Sequence, residues 1–200
     1  MAFIDTIPMS EATGAIKGLY EAAEESSGYI PNYLRLFSHR PDVYKAWLQL
    51  GGAIRANMSL RRYELVTLAA ARKLGGTYWM LAHSDTLLKN NEVNASQLIA
   101  IAGDYHDANL SADEVAIMEF AEKIIANASS ITQADVDRLK NFGLSDAEIL
   151  DITLAAAARS FFSKTLDALN AVPDAKYLEF DETLREALSV GRPFGDTERV

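Results

Sequence analysis

The chain has 200 residues, 49% hydrophobic and 24% charged, with a formal net charge of -9 and no cysteine. That length buries a good core in one domain, or in one domain with an extension. The acidic balance speaks against nucleic acid and anionic membranes, which recruit basic patches, and the absence of cysteine excludes disulfides, thiolate metal sites and thiol catalysis together.

The start, Met1-Ala2-Phe3-Ile4-Asp5, lacks a charged segment followed by an apolar run, so no secretion signal is expected. No stretch reaches the roughly 18 apolar residues of a membrane span. The expectation is a cytoplasmic protein. Periodicity is helical nearly throughout, and the chain is expected to be all-α. Ser10 reads as an N-cap for a helix carrying Ile16, Leu19, Tyr20 and Ala23, which Gly28 ends. Pro31 sits in the first turn of a short helix, Pro41 opens another to about residue 57, and Ser59 caps a helix from Leu60 to Leu74.

Gly75-Gly76 breaks the pattern, and a helix is predicted from Thr77 to Asn90, then a short one from Ala95 to Ile101. Ser111 with Glu114 and Ser145 with Glu148 read as capping boxes. They open helices to about Ala126 and about Leu169, with a short amphipathic helix after Thr132 between them. Pro173 prevents the longest helix from continuing. Residues 1–180 are expected to form a single domain, and residues 181–200 a C-terminal arm with one short helix, Glu182 to Ser189, and an extended piece over Gly191–Gly195. Such an arm is expected to fray in a monomer and to order against a neighbouring subunit.

The chemistry concentrates between Glu64 and His83. On a helix beginning near Thr77, Gly76, Trp79 and His83 follow i, i+3, i+7 spacing and share a face. With Gly75-Gly76 as a tight connector, the two helices pack as an antiparallel pair and bring Glu64 and His83 to similar heights, in direct or water-bridged contact. A histidine transfers protons near neutral pH, and a neighbouring carboxylate is expected to orient it and favour its charged form. Tyr78 is a candidate hydrogen-bond donor to substrate, Trp79 a candidate pocket wall, and Arg61, Arg62 and Arg72 candidate carboxylate anchors. The alternative readings are that Glu64 and His83 form a buried structural pair and that Tyr78 and Trp79 are core or interface aromatics. Metal binding is not expected: Glu64, His83 and Asp85 are conceivable ligands, but His83 and Asp85 are two apart on a helix and point in different directions. Ala155–Ala158 reads as close helix packing, and Asp113, Glu114, Glu119 and Glu122 as a solvated helix face.

Glu64, Gly76, Trp79, Ala82 and His83 together resemble the core of the alkylhydroperoxidase D and carboxymuconolactone decarboxylase superfamily. Its redox members place two cysteines where Gly76 and Trp79 stand, between the matching Glu and His. Ile30-Pro31-Asn32-Tyr33-Leu34-Arg35-Leu36-Phe37-Ser38-His39-Arg40-Pro41 is similar to the front motif of its "peroxidase-related" branch, and Phe161–Leu169 to the closing helix. The resemblance covers most of residues 1–180 and implies an alkylhydroperoxidase D-like helical fold and a homo-oligomer, a dimer or a trimer of dimers. The thiol peroxidase mechanism does not transfer, because glycine and tryptophan carry no nucleophile. The lyase branch implies cofactor-independent chemistry on an organic acid or lactone, with Glu64 and His83 as the acid-base pair, Tyr78 assisting, and Gly76 and Trp79 at the substrate pocket. The alternative is a non-catalytic ligand-binding or structural relic.

Overall fold

The computed structural model describes residues 2–194. Among them run ten α-helices and several 3-10 turns, with no strand. The helices are α1 (Gly14–Ser27), α2 (Asn32–Leu36), α3 (Pro41–Arg55), α4 (Leu60–Leu74), α5 (Thr77–Lys89), α6 (Ala95–Asp104), α7 (Ala112–Asn127), α8 (Gln133–Asn141), α9 (Asp146–Ala168) and α10 (Glu182–Leu188). None is long and apolar enough to cross a membrane.

Helix α4 is the axis of the molecule. Every residue from Tyr63 to Ala71 is buried, as expected for a helix enclosed on all sides. Helices α5, α7 and α9 pack around it, and Ala69, Ala70 and Ala71 on α4 with Ala155 and Ala156 on α9 keep the layers close. The Ser59 hydroxyl accepts from the Arg62 amide and closes the start of α4. Its end is a Schellman turn: Gly75 takes φ 70°, its amide donates to Arg72, and the Gly76 amide reaches back to Ala71. This turn reverses the chain into α5. The capping boxes at Ser111/Glu114 and Ser145/Glu148 are present, and Thr132 makes a third with Asp135.

Three expectations are corrected. Ser10 lies in a 3-10 turn, Met9–Glu11, and the first α-helix starts only at Gly14, behind the extended residue Thr13. The acidic face of α7 is paired rather than simply solvated: Glu114 accepts from Arg61, Glu122 from Arg72, and Glu119 from Arg138 and His106. The C-terminal arm is fastened within the monomer through residue 194. The Gly191 amide donates to the Thr77 hydroxyl at 3.0 Å. A Cβ on Gly191 would stand 1.8 Å from the Gly75 carbonyl oxygen, so only glycine permits this approach. Gly195, the last residue of the expected extended piece, and residues 196–200 lie outside the described residues.

The arm therefore clamps the connector from which α5 emerges. Gly191→Ala is expected to lower unfolding stability by roughly 1–3 kcal/mol, because the added methyl meets backbone rather than a movable side chain. Urea unfolding measures this, and an unchanged midpoint contradicts the clamp.

Candidate active site

Glu64 and His83 meet across the α4–α5 hairpin, as the connector geometry predicts. His83 Nδ1 is hydrogen-bonded to Glu64 Oε2. Glu64 is 2% exposed and His83 8%. The Nδ1–H donates to the carboxylate, which leaves Nε2 as the ring's lone-pair nitrogen. Nε2 has no hydrogen-bond partner in the protein. Contrary to expectation, the imidazole is not held in its charged form. Burial pushes its pKa below the ordinary 6.5, Arg159 and Arg55 push the same way, and Glu64 only partly offsets them.

His83 lines a cleft of about 200 Å3. Its other walls come from five helices: Tyr33 on α2, Tyr44 and Trp47 on α3, Tyr63 on α4, Trp79 on α5, and Arg159 and Phe162 on α9. Phe162 anchors the aromatic wall, with ring centroids 4.6 Å from Trp47, 5.0 Å from Trp79 and 6.0 Å from Tyr33. The three sequence segments that carry the family resemblance thus converge here: the front motif supplies Tyr33, the Glu–His frame supplies Trp79 and His83, and the closing helix supplies Phe162.

Arg159 is the group that sequence reasoning missed. It is 4% exposed, and its guanidinium carbon lies 4.3 Å from the Trp79 ring centroid. Two of its nitrogens, Nε and Nη1, are buried without a hydrogen-bond partner. Burial pulls its pKa down, and Tyr63 and Glu64 pull the other way; an arginine nevertheless remains charged at neutral pH. A signal was present: one charged residue, with none within four positions on either side, in the run Leu154–Phe162. Arginine is almost never fully buried unless paired.

The other candidates fall elsewhere. Trp79 lines the cleft, and its indole nitrogen is buried without a partner. Gly76 does not line it; a Cβ there would meet the Ser163 hydroxyl on α9 at 3.4 Å. Tyr78 points into a different network. Its hydroxyl donates to Asp174 at 2.6 Å, and the same carboxylate accepts from the Asn32 amide at 2.7 Å. Burial, reinforced by Asp174, raises its pKa well above the ordinary tyrosine value; Tyr78 ties α5 to the loop after α9 and does not line the cleft. Arg61, Arg62 and Arg72 are committed to Glu114, Glu148 and Glu122. The cleft instead holds Arg159 and, at its exposed rim, Arg55. Asp85 pairs with Lys89 and Lys176 rather than joining His83, and no metal-binding cluster occurs among the described residues.

The depressed pKa of His83 sets a sign. The unfolded chain protonates this imidazole near pH 6.5, whereas the folded chain does so only at lower pH. Unfolding therefore takes up a proton in that window, and stability falls as pH drops from 6.5 through the folded pKa. Wild type is expected to lose more stability over this interval than His83→Gln, measured by urea unfolding. Histidine NMR is expected to show a midpoint below 6.5 with the proton on Nδ1; a midpoint at or above 6.5 contradicts the assignment.

No protein-family model and no curated protein sequence matches the chain. Solved structures do. The alkylhydroperoxidase AhpD core of an uncharacterized peroxidase-related protein from Ralstonia eutropha JMP134 superposes with a TM-score of 0.80 at 18% identity, over 88% of this chain and 94% of that one. An uncharacterized peroxidase-related protein from Silicibacter sp. TM1040 gives 0.79 at 20% identity, over 89% and 94%. A variant of the debrominase Bmp8, solved in complex with 2,3,4-tribromopyrrole, gives 0.68 at 18% identity, over 91% and 95%. The chain has the alkylhydroperoxidase D-like fold, with no cysteine in its sequence.

Proposed function

We propose that the protein is a thiol-independent, cofactor-independent enzyme that uses His83 Nε2 as a general base on a small molecule held in the α3–α4–α5–α9 cleft. The observation that carries this reading is the unpartnered Nε2 of a neutral imidazole whose other nitrogen is fixed by Glu64. A neutral base near neutral pH takes a proton from an attacking water or from a carbon beside a carbonyl, and its conjugate acid returns that proton to the leaving oxygen or the enolate. Glu64 fixes the tautomer and stabilises the imidazolium that forms. Lactone opening, part of the chemistry implied by the lyase resemblance, uses this proton traffic without a thiol: Nε2 takes a proton from the water that adds to the lactone carbonyl and returns it to the leaving alkoxide. In decarboxylation Nε2 would first take a proton from water and then deliver it to the carbanion left by CO2.

The non-catalytic reading draws on one observation: Nε2 itself is sealed from bulk water. A ligand in the cleft meets Nε2 only when the neighbouring Trp79 ring shifts, so binding without turnover is the outcome to exclude. The resemblance also implied self-association. Leu150, Leu154 and Phe161 on α9 and Leu48 on α3 are 40–56% exposed and support a homo-oligomer.

In assays of lactone opening and decarboxylation, His83→Ala is expected to lower turnover roughly 10²–10⁴-fold, the range of general base catalysis. Equal rates remove His83 from the mechanism. Hydroperoxide reduction with dithiol donors is expected to be absent, and its appearance contradicts the thiol-independent assignment. Leu154→Glu is expected to shift sedimentation toward the monomer; a wild type that already sediments as a monomer contradicts self-association.

A further inference from the structure

The cleft is lined by one kind of wall and one kind of charge. Six aromatic side chains, Tyr33, Tyr44, Trp47, Tyr63, Trp79 and Phe162, surround it, and the charged residues lining it are both arginines, Arg55 and Arg159. In a chain of net charge -9 this is a local reversal. No carboxylate is among the described residues that line the cleft, and Glu64 beside it already accepts from His83. Arg159 is buried with Nε–H and Nη1–H unpartnered and closed to water, so an acceptor in the cleft meets them only as the Trp79 ring against the guanidinium shifts. A buried guanidinium with idle donors is costly until something accepts from it.

We infer that the cleft binds a small planar aromatic carboxylate, its carboxylate accepting from Arg159 and its ring packed among Trp47, Trp79 and Phe162. This rests on reading the cleft as a small-molecule site and names the ligand class for it. The volume, about 200 Å3, falls below the roughly 300–1,000 Å3 of pockets for drug-sized ligands, which suits one ring rather than two. Planar rings stack or meet edge to face on indole and phenyl walls, a gain that a puckered aliphatic ring does not match. A charge-assisted hydrogen bond to an anion outweighs one to a neutral carbonyl. Arg159 is the selecting residue, because Arg55 sits at the exposed rim where water screens it.

The chain reports on its own cleft: its 2 tryptophans, Trp47 and Trp79, both line it. Titration of the full-length protein with benzoate, followed by tryptophan fluorescence and calorimetry, is expected to show saturable binding. Affinity should be at least roughly tenfold above that for benzamide, acetate or cyclohexanecarboxylate. Arg159→Gln is expected to abolish the preference for benzoate over benzamide, while Arg159→Lys keeps part of it. No benzoate binding by the wild type, equal affinity for benzamide, or equal affinity for inorganic phosphate each overturns the inference, whether or not the Arg159 variants fold. Failure here is separable from failure of the proposed reaction. Benzoate binding is read on the wild type with no turnover involved, so it stands or falls independently of the rates of the His83 variants.

Discussion

The buried contact between Glu64 and His83 is the constraint on which the rest of this site depends. Two helices meet there on the inner side of a hairpin whose turn is set by Gly75 and held from outside by Gly191. A carboxylate that is 2% exposed is stable in a core only with its hydrogen-bonding capacity answered. The imidazole answers it through Nδ1, which fixes the tautomer and aims Nε2 away from α4. The base is therefore a consequence of burying the acid.

The second consequence is electrostatic. Enclosing Glu64 and His83 within α3, α4, α5 and α9 also encloses Arg159, which lies against the Trp79 ring. Burial disfavours a proton on His83, and Arg159 adds to it. Trp79 lies against both groups. Its indole covers one with a cation–π contact and lies 5.4 Å, ring to ring, from the other. Bringing an anion to Arg159 would remove part of that repulsion and make His83 a stronger base, so binding and basicity are coupled within one cleft.

Most of the helical fold was legible from the sequence. Helix α4 ran from Leu60 to Leu74 as predicted, because Ser59 and Gly75 are unambiguous punctuation. Ser10 misled because a good capping residue does not start a helix when the following turn closes as 3-10. At the site, Glu64, His83 and Trp79 were readable, since spacing across a two-residue connector fixes their relative heights. Tyr78 was not, because a residue adjacent to Trp79 on a helix points roughly 100° away, and its partner Asp174 is remote in sequence. The arginines were misassigned for a similar reason. Arg61, Arg62 and Arg72 find acids on α7 and α9 that only the tertiary packing brings near, whereas Arg159 follows directly on Ala155–Ala158, the run read as helix packing.

The most direct test of the central claim, that His83 and Arg159 serve one ligand cleft, is a crystal structure of the protein grown with benzoate. The account predicts the carboxylate on Arg159 and the ring between the aromatic walls, with its edge within reach of His83 Nε2. A structure in which benzoate is bound elsewhere, or in which Trp79 fills the cleft and leaves no room beside His83, would contradict it.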